Sequence, residues 1–206
     1  MQKYDFQCRK ALLSDDIQAI AKYLHLTDPY IYPGICHNPA DEEWVRLISC
    51  CSKTEDNIFN IDNLSVVLHD DNIIGILCVV PCGRKLNFLS DTYDLSKDFI
   101  DMLKPVTDGY FDPLISESFS YSGFNITNVC VDCNYRNRGI GGIIMSDCIE
   151  NYGHQILHLD VIAANKPAVN LYKRFGFEIT NEYCGFSGDD TKLPCYHMIR
   201  TPSNEK

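Results

Sequence analysis

The segment Arg136-Asn137-Arg138-Gly139-Ile140-Gly141-Gly142 follows a predicted strand, Asn125–Asp132, and opens directly onto a helical pattern. Glycines let a backbone approach a ligand closely, and the N–H groups of such a turn and of the first helical turn point outward together. That combination makes an anion site suited to a phosphate or pyrophosphate. Arg136 and Arg138 add guanidinium groups whose fork geometry matches phosphate oxygens. The pattern is neither the GxGxxG dinucleotide fingerprint nor a P-loop, because no Gly-Lys-Ser/Thr follows. Between Asp132 and Arg174 five basic residues face four acidic ones, inside a chain whose net charge is −10. The acidity therefore relaxes where the anion site falls. Taken alone, the same spacing equally serves a plain strand–helix connection.

A second segment, Leu157 to Phe177, carries Asp160, Asn165, Pro167, Tyr172 and Gly176. A strand ends near Ala163, Asn165 supplies a cap, Pro167 starts a helix and Gly176 stops it. Ala168, Tyr172 and Phe175 share one helical face, so by periodicity Tyr172 is a core aromatic. Asp160 by itself is equally a buried carboxylate held by backbone amides.

The elements that must position these groups can be read from pattern. A strand is expected at Tyr4–Ala11. A helix capped by Ser14 follows, with Asp15 and Asp16 in its first turn, running to Leu26. Thr27–His37 reads as loop, and Asn38-Pro39 as the start of a helix through Trp44 and Ile48. Leu64–His69 and Ile73–Val80 flank Asp70-Asp71-Asn72 as a hairpin. Gly83–Gly123 reads as an insertion in a single domain spanning 1–206, with a helix at Leu95–Leu103 stopped by Pro105. The remainder predicts a helix at Gly141–Tyr152, a strand at Gln155–Ala163, a helix at Pro167–Phe175, and strands at Phe177–Phe186 and Pro194–Arg200. Strands alternating with helices imply a mixed sheet with at least one parallel pair.

In their order and spacing the two segments resemble the GCN5-related N-acetyltransferase (GNAT) family. Arg136-x-x-Gly139-x-Gly141 is similar to that family's acetyl-CoA pyrophosphate motif. Asn165, Ala168, Tyr172, Gly176 and Phe177 resemble its Asn-x-x-Ala-x-x-x-Tyr-x-x-x-Gly-Phe motif. The resemblance implies an α/β fold: a mixed, mostly antiparallel sheet splayed around a parallel strand pair, with helices on both faces. It implies acetyl-CoA as co-substrate and no metal. Val129 and Val131 would pair through their main chains with the pantetheine amides, as an added strand does. Backbone amides of Arg136, Asn137, Arg138, Gly139, Ile140, Gly141 and Gly142 would hold the pyrophosphate, and Asn165 the pantetheine arm. Tyr172 would sit at the thioester sulfur and Asp160 would be the candidate base, one methylene shorter than the glutamate some relatives use. His158 and Glu117 are lesser candidates, and a water relay needs none of them.

The implied activity is acetyl transfer to a primary amine, of a small molecule or a protein N-terminus, by direct attack. A thiolate of pKa about 8.5 leaves more readily than a tyrosine of pKa about 10 loses its proton, so Tyr172 suits hydrogen-bond donation better than full proton transfer. Deprotonating a lysine-type ammonium at pH 7 costs about 4–5 kcal/mol, an α-ammonium only about 1. The competing expectation is an inactive acyl-CoA-binding regulatory module of the same fold.

The 206 residues are 45% hydrophobic and 22% charged, ordinary globular composition. An acidic chain of pI about 4.9 disfavours nucleic acid and anionic membrane as partners and suits a cationic amine. Six aspartates and Glu117 in the 83–123 segment, beside its aromatics, fit the same acceptor, or else simply a solvated face over a surface excursion. Eleven cysteines, mostly within apolar runs, read as reduced thiols of a cytoplasmic protein. Cys130-x-x-Cys133 lacks a second ligand pair for zinc. The resemblance also implies that a homodimer can form.

Overall fold

The computed structural model describes residues 5–29, 32–83, 86, 93–106, 121–186 and 192–202. Its strands are β1 (Gln7–Lys10), β2 (Leu64–His69), β3 (Asn72–Pro81), β4 (Phe124–Val131), β5 (Leu157–Ile162), β6 (Glu178–Phe186) and β7 (Lys192–Arg200). Its helices are α1 (Ile17–His25), α2 (Tyr32–Ile35), α3 (Glu42–Ser52), α4 (Lys97–Val106), α5 (Ile140–Tyr152) and α6 (Lys166–Arg174).

Several helix starts differ from the sequence expectation, each for a local reason. Arg9 engages Asp15 through two contacts of 2.7 and 2.8 Å, and the Leu12 amide bonds the same carboxylate. That pins a turn through Ser14, so α1 begins later, capped by Asp16 rather than Ser14. Asn38 only closes a local turn onto the Ala40 amide, and Asp41 is the cap of α3. Thr27–His37 contains the short helix α2 where loop was expected. Pro105 does not stop α4, which ends one residue beyond it at Val106.

The seven strands form one sheet in the order β1-β2-β3-β4-β5-β7-β6, antiparallel except for β4–β5. One face packs on α1, α3 and α4 through Leu24, Trp44, Ile48, Ile76 and Leu103, with the Trp44 indole donating to the Ala21 carbonyl at 2.9 Å. The other carries α5 and α6 through Leu77, Ile144, Met145, Leu159 and Phe177. Helices thus cover both faces, as expected. Among the described residues no helix is long and apolar enough to cross a membrane.

The sheet opens at its parallel pair. The β4–β5 ladder holds only Phe124↔Leu157, Asn125↔His158 and Ile126↔Leu159. Next comes a bulge, since β3 pairs Val79 with Ile126 and Cys78 with Asn128 and passes over Thr127. Bulges bend and twist a strand, and β4 leaves β5 here. Gly123, at φ +102°, permits the approach to the pair: a Cβ there would lie 2.1 Å from the Ile156 carbonyl oxygen.

The Arg9 fork and the Leu12 amide hold Asp15 below the usual carboxylate range. Burial opposes ionisation of Asp132, yet the Asn134 amide, the Tyr23 hydroxyl and Lys22 together lower its pKa as well. Both contribute stability above the ordinary carboxyl pKa that is lost as pH falls through their lowered values. Asp15→Asn should therefore cost about 1 kcal/mol at neutral pH, roughly 2–4 °C in Tm, and flatten the fall of Tm with acid. Differential scanning calorimetry between about pH 7 and pH 3 checks both. An unchanged acid slope would remove Asp15 from the account.

Candidate active site

The Asp132 amide donates to the Ile74 carbonyl at 2.8 Å. Antiparallel strands alternate which residues turn their main-chain groups toward the partner. Cys130 and Asn128 therefore face β3 with Asp132, whereas Val129 and Val131 turn theirs to the other edge, where β5 has diverged. The Arg136 Nε donates to the Val131 carbonyl at 3.2 Å.

Beyond β4 a single 3-10 turn, Cys133–Tyr135, is capped by Asp132, which also accepts from the Tyr23 hydroxyl at 2.8 Å. Asn137 is left-handed at φ +61° and Gly139 at φ +85°. The amides of Gly142 and Ile143 both bond the Gly139 carbonyl. Among the described residues no side chain caps α5 and its first turn holds no acidic residue, although Asp147 and Glu150 line the depression beside it. A Cβ at Gly139 would meet nothing within 4 Å. Beside it an open depression of about 490 Å³ is lined by Gly142, Ile143, Ser146 and Phe175 among others. Arg138 stacks over the Tyr135 ring at 5.2 Å and bonds the Asn134 carbonyl. A Cβ at Gly141 would approach Leu171 Cδ2 at 3.0 Å, so its bareness also serves the contact between α5 and α6.

Asn165 caps α6, its side-chain oxygen accepting from the Ala168 amide at 3.3 Å. Tyr172 belongs to the cluster that contains Val129, Val131, Leu159 and Val161, residues from the two strands that diverge. It is 8% exposed, and its ring lies 6.0 Å from that of Phe177. Among the described residues no hydrogen bond engages its hydroxyl. Burial, with Cys148 close by, pushes its pKa up to about 12.

Asp160 is not the amide-bonded buried carboxylate that was one expectation. It is exposed on β5, and its Oδ1 lies 3.0 Å from His197 Nδ1, directly across on β7. Alternation along β5 sets Asp160 and His158 on the face opposite Leu159 and Val161, away from Tyr172. His158 Nδ1 lies 3.4 Å from His197 Nε2, and the Tyr121 ring stacks on both imidazoles. Sequence reasoning missed His197, because only the insertion of β7 between β5 and β6 brings it to Asp160. Glu117 lies outside the described residues. Among the described residues no group of three or more His, Cys, Asp or Glu is placed to hold a metal ion.

A sheet splayed at one parallel pair, with β4 leading through a glycine turn into α5, defines an acetyltransferase-type α/β fold. The chain belongs to the acetyltransferase (GNAT) family, whose sequence model matches residues 25–177. The L-amino acid N-acetyltransferase AaaT of Escherichia coli (strain K12) is 36% identical over 79 residues, 35% of this chain and 48% of that protein. This chain thus matches about half the length of that curated relative. An N-acetyltransferase from Staphylococcus aureus Mu50 superposes with a TM-score of 0.71 at 18% identity, covering 94% of this chain and 99% of the other. The Escherichia coli ribosomal-protein-S18-alanine N-acetyltransferase gives 0.56 at 12%, covering 98% and 97%. The family match ends at Phe177, so β6, β7 and His197 lie beyond it.

Proposed function

We propose that this protein is an acetyl-CoA-dependent N-acetyltransferase that acts on a primary amine, of a small molecule or a protein N-terminus, by direct attack. The observation that carries the reading is the course of β4. Its main chain at Val129 and Val131 faces the gap left by β5, and the same strand runs on into the uncapped start of α5. An extended amide-bearing arm can add to such an edge as a strand would, and a pyrophosphate can settle on the outward amides. These residues fit acetyl-CoA, which when bound supplies an activated acetyl thioester.

The chain's own groups then have separable tasks. Of the expected amides, those of Arg136 and Gly142 are taken by the Cys133 and Gly139 carbonyls, and the others of the Arg136–Gly142 turn, with the two guanidiniums, bind and orient. Asn165 fixes the start of α6, and Tyr172 offers a proton to the sulfur as negative charge gathers there. Asp160 stands on the opposite face, where an ammonium would be drawn by its carboxylate. Tyr121, from the end of the 83–123 segment, covers the histidines beside it, which supports a contribution of that segment to acceptor choice. Of the six aspartates of that segment, Asp91, Asp108 and Asp112 lie outside the described residues, and Asp101 pairs with Lys97.

The test is thiol release from acetyl-CoA across a panel of amines and N-terminal peptides. Turnover on at least one supports the reading, whereas acetyl-CoA binding without turnover on any would make the protein a binding module. Arg138→Ala should weaken acetyl-CoA about tenfold, an effect that shrinks with added salt. Titration calorimetry at two ionic strengths measures it, and a salt-independent loss would mean Arg138 acts by packing on Tyr135.

A further inference from the structure

A line of polar atoms crosses the acceptor side of the sheet. The Ser122 carbonyl lies 3.1 Å from His158 Nε2, His158 Nδ1 lies 3.4 Å from His197 Nε2, and His197 Nδ1 lies 3.0 Å from Asp160 Oδ1. The ends of this line are a carbonyl and a carboxylate, which only accept. Each of the three contacts needs one hydrogen, and every hydrogen must come from a ring nitrogen. Two neutral imidazoles carry two N–H groups between them, so the third contact requires one proton more. With only two, one contact would set lone pair against lone pair and would have to open.

We propose that Asp160, His197 and His158 form a one-proton store on the acceptor face, and that this store takes the proton an acceptor ammonium sheds on acetylation. The assignment of the acceptor rests on the acetyl-transfer reading above; the hydrogen count does not.

The geometry locates the extra proton. His197 touches the carboxylate, so a positive charge there is balanced directly. His158 is 4% exposed against the Ser122 carbonyl. Burial lowers its pKa most; the Ser122 carbonyl opposes this, the neighbouring His197 adds to it, and Asp160 opposes it least. The three contacts are all met with N–H on both nitrogens of His197, while His158 donates from Nε2 to Ser122 and accepts at Nδ1. The remaining neighbours are Tyr121, stacked over both rings at 4.8 and 5.4 Å, Asn125 across from His158 on β4, and Cys195, which lies within the fields of Asp160, Cys184 and Asp28. Of the three members only Asp160 is exposed. Protons thus enter and leave at the Asp160–His197 end.

The proton balance closes. Once the store has released its extra proton to water, two hydrogens remain on the rings, and it accepts one from the ammonium and frees the nitrogen lone pair. That pair forms the N–C bond as the C–S bond breaks, and the second N–H proton leaves with the thiol. The store then returns its proton to water. The short side chain of Asp160 is no obstacle, because His197 backs it and shares the charge. His197 and His158 act through Asp160 and are positioning residues.

Ring ¹⁵N shifts of the histidines, followed by NMR in the ligand-free protein from about pH 5 to pH 9, test this without any acceptor. The expected result at about pH 7 is one ring protonated on both nitrogens, His197, and His158 neutral with its hydrogen on Nε2. At that pH Asp160→Asn should remove the extra hydrogen from the His197 ring in the same spectra. In turnover, Asp160→Asn should lower kcat/KM for the amine and leave the acetyl-CoA KM nearly unchanged. Two rings that are both neutral at pH 7 and indifferent to Asp160→Asn would overturn the proposal, even if amines were acetylated. Ring shifts as expected with no amine acetylated would uphold the store and overturn the acetyl-transfer reading instead.

Discussion

Tyr172→Phe should lower kcat about 10- to 1,000-fold and leave acetyl-CoA affinity nearly unchanged. The substitution keeps the ring in the cluster with Val129, Val131, Leu159 and Val161 and against Phe177. It removes a hydroxyl that no described residue engages, so Tm should change little. A pKa raised to about 12 sharpens the chemical role. Against a departing thiol of pKa about 8.5, complete transfer from Tyr172 is uphill by roughly 5 kcal/mol at 1.36 kcal/mol per unit. The hydroxyl therefore acts by donating a hydrogen bond that strengthens as charge builds on sulfur. It also stays protonated throughout the neutral range, so a basic limb of kcat below about pH 10 must belong to another group. Steady-state kinetics and a thermal melt decide the matter: full kcat in the Phe variant would reduce Tyr172 to a core aromatic, and a large fall in Tm would make its hydroxyl structural.

Gly139→Val should raise the acetyl-CoA KM at least about tenfold. Gly139 sits at φ +85°, a region costing an L-residue roughly 1–2 kcal/mol, and a β-branched residue resists it further. The new side chain would project into the open space beside the outward amides of α5. Gly141→Ala offers the contrast. Its Cβ would press Leu171 at 3.0 Å, so the expected loss is in Tm, with the acetyl-CoA KM changed less than about twofold. Both variants are measured by initial rates over a range of acetyl-CoA with the melt recorded alongside. Reversal of the two effects would move the anion site away from the Gly139 turn.

The sequence by itself determined the strand–helix alternation from Phe124 onward and the two motifs, Arg136–Gly142 and Asn165–Phe177. Both are local: glycines, a capping asparagine, a helix-starting proline and alternating apolar residues act over a few positions, and their physics is written in neighbouring letters. The same locality placed the hairpin at Asp70-Asp71, both at positive φ in the structure. Helix starts were less legible, because the choice among Ser14, Asp15 and Asp16 turned on Arg9, which is local in the chain but reaches Asp15 only after β1 has formed. Tertiary structure alone decided what the motifs surround. The bulge at Thr127 ends the β4–β5 ladder and turns Val129 and Val131 outward; it exists only as a mismatch of register between β3 and β4. Gly141, expected at the ligand from its motif, also meets Leu171, thirty residues on, where the two helices pack. Asp160 and His197 became partners because β7 threads between β5 and β6, which no pattern within either strand encodes. Pairing across a sheet is set by the summed burial of both faces and by chain reversal over long loops, and a proton count on two imidazoles follows only after that pairing is made.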